Sequence, residues 1–449
     1  MMSIMKIFSS IILALVGGVI FVSQVKAFEI NELKSATGIK AWLVEDHKNP
    51  IITIKFAFKG GTGQDPQNKE GLAYLTSGLL DEGAGSIKSL DFQKRLNKNS
   101  ISMSFKVTRD YFHGSIVTLT ETSDEAFRLL RLALISPRFD DESLNRVRNQ
   151  MVVNLRNRKE NPNRIAARAW WKASFGQHLY GRDKLGTETS LNKITSRDLK
   201  QFKERIFAQD NLVIGVVGDI TSGHLKKKLD EIFGQLPKQA QVTELPNAEI
   251  KNFGQTIIVN REIPQSVVVF GHQGVLRSHP DWQAVTVLLE IMAGGFGSRL
   301  MKEIREVQGL TYSVSAYPLA LDKAGLIIGT VSTVNERVAK SINLIRKSWK
   351  KFGESGPTEK EVRDARSYLN GSFGLLFTDS KKIAGILVSM QKNGLDVGYM
   401  KRRSELINQV SIRQLKQVAK RLFQHEKLTF SIVGQPVNIN RTMPTSTIN

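Results

Sequence analysis

Cysteine is absent from this chain of 449 residues. Its absence excludes disulfides, thiolate nucleophiles, iron–sulfur clusters and cysteine-based zinc sites. Any metal or covalent chemistry must therefore use His, Asp, Glu, Ser, Thr, Lys or Tyr. Proline is scarce, with 12 residues, and the apolar content is 41%. This composition argues against a disordered chain, a collagen and a protein of many membrane spans, and it predicts a globular protein of about two to four domains.

Acidic residues are also in deficit. The 42 Asp and Glu residues stand against 64 Lys and Arg, which gives a formal net charge of +22. Such a charge attracts nucleic acid, anionic lipid or an acidic partner over long range. The basic residues are spread along the sequence and form no Lys/Arg-rich tail. We therefore expect the charge to affect encounters with acidic partners, and we do not expect a nucleic-acid-binding protein.

The N-terminus has the pattern of a secretory signal peptide. One lysine precedes a largely apolar run from Ile7 to Val22, which is followed by small residues at Val25 and Ala27. This order predicts a signal peptide that is cleaved after Ala27, and hence export, most naturally to a bacterial periplasm. An uncleaved membrane anchor is the alternative. After cleavage no stable membrane span is expected.

An internal repeat divides the rest of the chain. A strand-like segment that begins at Ile116, an apolar helix to Ile135 and a further helix recur in the same order from Ile327 onwards. Such repetition predicts two related halves joined by a linker, which here is polar and without periodicity. The predicted segments are a signal peptide over 1–27, a first half over 28–237, a linker over 238–249, a second half over 250–440 and a tail over 441–449.

Strands followed by amphipathic helices are predicted within the halves. Alternating apolar residues over 41–45, 51–58 and 101–106 indicate strands, and an apolar stripe along 141–161 indicates a helix. Adjacent strands suit hairpins. We therefore predict an α+β fold of two homologous α/β-roll halves, each an antiparallel or mixed sheet packed with helices.

Smaller patterns predict local structure. Trp170 and Trp171 are adjacent. They could form a binding platform, but packing in the core or at a domain interface is the better interpretation. Thr358 and Glu361 have the spacing of a capping box at the start of a helix.

Six segments carry motifs in a fixed order. They are Gly61 to Pro66, Gly71 to Ala84, His178 to Thr187, Asp210 to Asp219, Gly294 to Leu300 and Glu303 to Val314. In order and spacing they resemble the insulinase/pitrilysin-type inverted zinc peptidases over nearly all of the chain that follows the signal peptide. The bacterial two-subunit members of that family and the mitochondrial processing peptidase are the most similar in length.

The zinc-binding residues of that family are missing. Its active-site helix carries H-x-x-E-H, in which two His bind zinc and the Glu activates the zinc-bound water. The matching positions here are Tyr74, Ser77 and Gly78, and Asn154 stands where the resemblance implies the third ligand, a Glu. A phenol, a hydroxyl, a hydrogen atom and an amide cannot replace them. We therefore expect no metal site and no cofactor in this chain, with zinc in a partner subunit.

A second functional pair of the family is present. The resemblance implies that an Arg and a Tyr, here Arg305 and Tyr312, reach the scissile peptide. A guanidinium and a phenol can polarise a carbonyl and stabilise an oxyanion. The alternative is that Arg305 forms an ion pair with a nearby Glu on a surface helix and that Tyr312 is a half-buried strand residue. Gly294, Gly295 and Gly297 are predicted to form a turn or a substrate-contact loop.

These observations predict the non-zinc-binding partner subunit of an exported heterodimeric zinc metallopeptidase, inactive alone. A homologous chain with an intact H-x-x-E-H would supply zinc and the general base. This chain would supply substrate binding and carbonyl polarisation for the hydrolysis of peptides or unfolded proteins. The alternative is a catalytically inert structural or interaction protein with the same fold. A third possibility, a hydrolase built on Ser77, needs a His or Lys base that no local motif supplies.

Overall fold

The computed structural model describes residues 29–443. The predicted signal peptide and cleavage site lie outside the described residues, as does most of the predicted tail. None of the helices within 29–443 combines the length and the apolar character needed to cross a bilayer. The predicted fold class is confirmed, because helices pack on two mixed β-sheets.

The first half contains a six-stranded sheet and a two-stranded ladder. Its strands are β1 (Asn31–Lys34), β2 (Lys40–Glu45), β3 (Ile51–Lys59), β4 (Gly83–Ala84), β5 (Ile87–Lys88), β6 (Ser102–Val107), β7 (Tyr111–Leu119) and β8 (Leu212–Gly218). Its helices are α1 (Leu72–Ser77), α2 (Ser89–Lys98), α3 (Ser123–Ile135), α4 (Asp141–Glu160), α5 (Pro162–Phe175), α6 (Glu188–Asn192), α7 (Ser196–Ile206) and α8 (Ser222–Phe233). The strand order is β1-β2-β8-β3-β7-β6, with β4 and β5 forming the ladder.

The second half contains a five-stranded sheet. Its strands are β9 (Thr256–Asn260), β10 (Gln265–Gln273), β11 (Val314–Ala320), β12 (Gly325–Val334) and β13 (Thr429–Gly434). Its helices are α9 (Trp282–Ala293), a π-helix (Met301–Val307), α10 (Val338–Ser355), α11 (Glu359–Gly371), α12 (Ser380–Lys392), α13 (Tyr399–Asn408) and α14 (Ile412–Leu422). The strand order is β11-β12-β10-β13-β9.

The two sheets have the same plan, which is the structural form of the sequence repeat. In each sheet an edge hairpin (β6–β7 or β11–β12) pairs with a central strand (β3 or β10). In the first sheet, β3 also pairs antiparallel with β8, and β8 pairs in parallel with β2. In the second sheet, β10 pairs antiparallel with β13, and β13 pairs in parallel with β9. The sheets are mixed because one neighbour in each is parallel.

Alternation along the strands produces the core. In β6 the side chains of Met103, Phe105 and Val107 are buried while the residues between them are exposed, as the two-residue period of a strand requires. Phe58 of β3 is fully buried and stacks on Phe207, with ring centres 4.6 Å apart. The core of the first half therefore lies on one face of its sheet, beneath the helices.

The other face of each sheet is covered by a helix from the opposite half. Helix α5 of the first half packs on β10 and β13, and helix α12 of the second half packs on β3 and β8. Trp170 of α5 is fully buried, and its indole N–H donates to the carbonyl of Thr429, 3.2 Å away. In the reverse direction, the Gln391 amide of α12 donates to the carbonyl of Ile214 at 2.8 Å. The prediction that Trp170 packs at an interface is confirmed, and each half completes the other.

The linker runs along this interface. Residues 238–249 form neither helix nor strand in the described structure. The Gln64 side chain donates to the carbonyl of Thr243 at 2.8 Å and accepts from its N–H at 2.9 Å. Lys323 forms an ion pair with Glu244 at 2.7 Å. The linker is thus attached to both halves.

The helix exchange predicts that the halves unfold together. Replacing Trp170 by Ala should lower the free energy of unfolding by about 3–5 kcal/mol, because it removes a large buried side chain and its hydrogen bond. The measurement is urea unfolding followed by circular dichroism, with Trp171→Ala, which truncates the half-buried neighbour, as the matched control expected to cost less. If the variant unfolded in two separate transitions, with the urea midpoint of only one of them lowered, the two halves would not unfold together and the prediction would be wrong.

A buried histidine in β10 predicts acid sensitivity. His272 is buried, its Nε2 accepts from the indole N–H of Trp349 at 3.0 Å, and its Nδ1–H donates to the carbonyl of Gln273 at 2.7 Å. Burial lowers the pKa of His272 to about 4. The unfolded imidazole titrates near 6.5, so between pH 6.5 and 4 the unfolded state binds the extra proton. The free energy of unfolding should therefore fall as the pH drops from 6.5 to 4, and His272 should account for about 3 kcal/mol of that decrease.

The measurement is urea unfolding of the wild type and of His272→Gln at pH 7.5 and pH 4.5. Replacement removes two hydrogen bonds, so the variant should be less stable at pH 7.5. The difference in free energy of unfolding between the two proteins should be smaller at pH 4.5, because only the wild type must keep this imidazole neutral. An equal difference in free energy of unfolding at both pH values would show that His272 is not the source of the acid sensitivity.

Candidate functional site

Helix α1, at the position of the active-site helix, begins at a buried carboxylate. Asp65 accepts hydrogen bonds from the backbone N–H groups of Gly71 and Ala73, both at 2.9 Å. These are donors that the start of a helix leaves unpaired. Burial raises the pKa of Asp65 to about 7. Leu72 and Leu75 are buried, so the local sequence still builds the helix although its chemistry has changed.

The residues at the H-x-x-E-H positions do not fit zinc. The Ser77 hydroxyl donates to the carbonyl of Tyr74 at 2.7 Å, and Tyr74 packs against the hydrophobic core of the first half. Gly78 ends the helix. A Cβ added at Gly78 would lie 3.1 Å from Cγ1 of Val147 on α4. An apolar neighbour therefore crowds the place where the second histidine would stand.

The position of the third ligand carries an amide in place of a carboxylate. Asn154 is exposed on α4, and its side-chain oxygen accepts a hydrogen bond from the Gln150 amide at 3.4 Å. Over residues 29–443 no three His, Asp or Glu side chains come together in a group that could hold a metal ion. The donor set required for zinc is not assembled at this site.

A serine hydrolase centre at Ser77 gains no support from the geometry. The hydroxyl donates its proton to a backbone carbonyl three residues earlier and is 8% exposed. A nucleophilic serine instead needs to donate to a general base that is itself held in place. In the described structure no histidine or lysine accepts from this hydroxyl.

Arg305 lies on the π-helix of the second half. Helices of this type are rare and frequently occur at functional sites. The guanidinium carbon of Arg305 is 4.9 Å from the centre of the Phe296 ring, and Phe296 itself is 72% exposed. Among the described residues no carboxylate pairs with this guanidinium, so the alternative of an ion pair with a nearby Glu is wrong. The Arg305 guanidinium instead lies against an aromatic face.

Tyr312 follows the π-helix and precedes β11. Its side chain is 86% exposed, so the alternative of a half-buried strand residue is also wrong. The backbone on both sides of it is fixed. The Gly309 N–H donates to the carbonyl of Arg305 at 3.1 Å, and the Thr311 hydroxyl donates to the carbonyl of Ser332 at 2.7 Å. The phenol therefore projects into solvent from an anchored segment.

The three glycines of the loop have different roles. Gly294 ends α9, and a Cβ there would collide with the side chain and backbone of Glu290. Gly295 and Gly297 have no atom within 4 Å of such a Cβ. Packing therefore requires glycine only at Gly294. The other two leave an open backbone beside Phe296, which is accessible to another molecule.

Phe296 is the residue that motif comparison missed. It lies inside the quoted glycine loop, and an aromatic residue between glycines was a readable signal. Together Arg305 and Tyr312 can donate hydrogen bonds to a carbonyl or an oxyanion. Neither group is a base that could activate water near neutral pH. Arg305 and Tyr312 therefore supply hydrogen-bond donors and no general base.

Comparisons with known proteins support the resemblance to the inverted zinc peptidases. A family profile described as "Peptidase M16 inactive domain" matches residues 193–369. The chain is 28% identical to "Non-peptidase homolog YmxG" of Helicobacter pylori, over 94% of this chain and 98% of that protein. It is 23% identical to "Uncharacterized zinc protease YmxG" of Bacillus subtilis, over 84% and 92% of the two chains.

A solved structure has the same fold over the same length. The crystal structure of a peptidase M16 inactive domain from Pseudomonas fluorescens superposes with a TM-score of 0.85 at 25% identity, covering 93% of this chain and 100% of that one. The predicted resemblance is confirmed. The residues at the metal-binding positions agree with the description of the Helicobacter pylori relative as a non-peptidase homolog. The chain is therefore similar to proteins described as inactive or non-peptidase members of the peptidase M16 family, and it lacks His and Glu at the positions where the resemblance implies zinc ligands.

Proposed function

We propose that this protein is the zinc-less partner subunit of an exported heterodimeric zinc peptidase. A homologous subunit with an intact H-x-x-E-H supplies zinc and the general base. This chain supplies substrate contacts and hydrogen-bond donors from its second half. Export to the periplasm follows from the predicted signal peptide, with attachment to the membrane if that segment is not cleaved.

The observation that carries the proposal is the contrast between the two halves. In the first half, Ser77 and Gly78 are absorbed into helix geometry and packing. In the second half, Arg305 and Tyr312 are presented on anchored backbone, and within residues 29–443 neither forms an ion pair. A phenol that is 86% exposed contributes little to packing. Its position is therefore best explained by a group outside this chain.

The geometry suits one part of peptide hydrolysis. When water attacks a peptide carbonyl, negative charge develops on the carbonyl oxygen. The Arg305 guanidinium and the Tyr312 hydroxyl can donate to that oxygen, and these bonds strengthen as the charge grows. Phe296 restricts the plane of the guanidinium, which reduces the entropy lost when Arg305 binds substrate. The open backbone at Gly295 and Gly297 offers further hydrogen-bonding groups to an extended peptide.

An inert structural or interaction protein is the second candidate. It is favoured by the description of the Helicobacter pylori relative as a non-peptidase homologue. In that case the chain would form stable complexes with no hydrolysis in any combination. The relative described as a zinc protease favours the peptidase pair instead.

Kinetics of the reconstituted pair test the proposal. Arg305→Ala should lower kcat/KM by about 100-fold, because one donor to the developing oxyanion is lost. Tyr312→Phe should lower it by about 10-fold through the loss of a single hydroxyl. The decrease should be in kcat, with KM little changed, since the donors act on charge that develops only in the transition state.

Two matched variants control for surface changes. Arg363→Ala removes an exposed arginine of α11, and Tyr317→Phe removes the hydroxyl of a tyrosine on β11 that is 51% exposed. Both should leave kcat/KM unchanged. If the pair assembles and Arg305→Ala hydrolyses peptide as fast as the wild type, the catalytic role assigned to this chain is wrong. If no pairing with a zinc-bearing homologue yields hydrolysis, the inert alternative stands.

A further inference from the structure

The segment between α11 and α12 exposes two neighbouring leucines. It is a short 3-10 helix over Ser372–Phe377, which we call the leucine loop. Leu375 is 68% exposed and Leu376 is 43% exposed, and Gly374 and Thr378 beside them are exposed as well. A single surface leucine needs no explanation, but two adjacent ones in one exposed loop form a small apolar patch that another molecule can cover.

The two phenylalanines of the leucine loop hold it to the protein. The rings of Phe373 and Phe377 pack edge to face, with their centres 4.9 Å apart. The guanidinium carbon of Arg403 lies 4.2 Å from the centre of the Phe373 ring. Phe377 packs against a buried apolar cluster between α12 and the first sheet. The loop is therefore anchored, and the exposure of its leucines is not a result of a detached segment.

The chain enters the described structure beside this loop. Ile30 packs against the same apolar cluster as Phe377. The apolar run of the predicted signal peptide or anchor ends at Val22, eight positions before Ile30. Eight residues of fully extended chain reach at most about 28 Å. If the apolar run stays in a membrane, the bilayer surface is therefore within that distance of the cluster that holds the leucine loop.

Lysines follow the leucines directly. Lys381 and Lys382 lie in the first turn of α12, and both are exposed. Asp379 caps this helix and accepts from their backbone N–H groups at 2.6 and 3.2 Å. One turn further along α12, a Cβ added at Gly385 would lie 3.3 Å from Nζ of Lys55. Three lysines and one aspartate thus lie at the start of α12, next to the exposed leucines.

This arrangement suits an anionic lipid surface better than a protein partner. A stable protein interface buries about 800 Å² on each partner, far more than two leucine side chains offer. A bilayer requires only apolar side chains that enter the interfacial region and cations at the level of the headgroups. The formal net charge of +22 acts in the same direction, because it attracts the whole chain to anionic lipid.

We propose that the leucine loop is a membrane contact. Leu375 and Leu376 insert among the headgroups of an anionic bilayer, and Lys381 and Lys382 bind the lipid phosphates. The presence of a bilayer rests on the export that the proposed function includes, whereas the chemistry of the loop does not depend on it. The contact adds a second attachment beside a retained N-terminal segment, or a weak reversible one after cleavage. It orients the start of α12 towards the membrane.

A fluorescent label on the full chain tests the inference. Because the chain has no cysteine, Leu375→Cys places a single environment-sensitive fluorophore in the leucine loop. The matched control is Leu90→Cys on α2, where the leucine is 67% exposed. On vesicles of phosphatidylglycerol and phosphatidylethanolamine, the emission of the label at 375 should shift to shorter wavelength and that of the label at 90 should not. No shift at 375, or an equal shift at both positions, would overturn the inference.

Vesicle flotation measures the contribution of the leucines. The chain without residues 1–27 is used, so that the apolar run does not dominate binding, and the apolar clusters of the core all lie within residues 29–443. The double variant Leu375→Gln/Leu376→Gln should weaken binding to the same vesicles by roughly 10-fold, because its side chains no longer favour the apolar interface. Leu90→Gln should bind as the parent chain does. Equal binding by the double variant would overturn the inference.

The lysines are tested in the same assay. Lys381→Gln and Lys382→Gln should each weaken binding by about 5-fold at low salt, because each removes one attraction to the anionic surface. Added salt should weaken binding of the parent chain. Vesicles of phosphatidylcholine alone should bind it poorly. Equal binding to phosphatidylcholine would overturn the part that charge plays in the inference.

Thermal unfolding distinguishes loss of the contact from loss of the fold. Leu375→Gln/Leu376→Gln should keep the Tm of the parent chain, because exposed leucines contribute little to packing. Weaker vesicle binding at an unchanged Tm is the supporting result. A Tm several degrees lower would mean that the leucines serve the fold, and would overturn the inference.

A protein partner at this loop is the remaining outcome against the inference. It would appear as a complex with a zinc-bearing homologue that the leucine double variant loses, while vesicle binding is unchanged. The vesicle assays themselves need neither zinc nor a partner. Failure of the peptidase pair therefore leaves a positive vesicle result intact, and failure to bind vesicles leaves the role of Arg305 to be decided by kinetics.

Discussion

The exchange of helices between the two halves is the constraint on which the rest of the structure depends. Each sheet has its own core on one face, and its second face is covered by α5 or α12 from the opposite half. Trp170 therefore has no place to be buried except against the partner sheet. Because neither half is complete alone, the segments near the lost metal site and the π-helix are held in one framework that does not depend on chemistry at either site.

That framework explains how the active-site helix survived the loss of its function. Helix α1 is held by the Asp65 carboxylate at its start and by buried leucines along its length. Neither contact involves the H-x-x-E-H positions. The start of the helix and its buried face are therefore held by contacts that do not depend on zinc. In the second half, within residues 29–443, Arg305 and Tyr312 form no ion pair and the Tyr312 side chain is 86% exposed. The proposed function assigns both side chains to contacts with a substrate outside the chain.

Much of the fold could be predicted from local pattern. The strand expected over 51–58 is β3, the helix expected over 141–161 is α4, and Thr358 and Glu361 form the expected capping box. Periodicity could not show which sheet α5 covers, because an apolar stripe does not identify its partner. The stacking of Arg305 on Phe296 depends on the rotamers of both side chains, which leave no signal in the sequence.

The central claim is a division of labour between a chain that has lost zinc and a homologue that keeps it. Native mass spectrometry of this protein, mixed with a homologue that bears H-x-x-E-H and zinc, tests it most directly. The account predicts a one-to-one complex that carries a single zinc ion, with this chain free of zinc when it is isolated. A complex with one zinc ion in each subunit, or zinc bound by this chain alone, would contradict it.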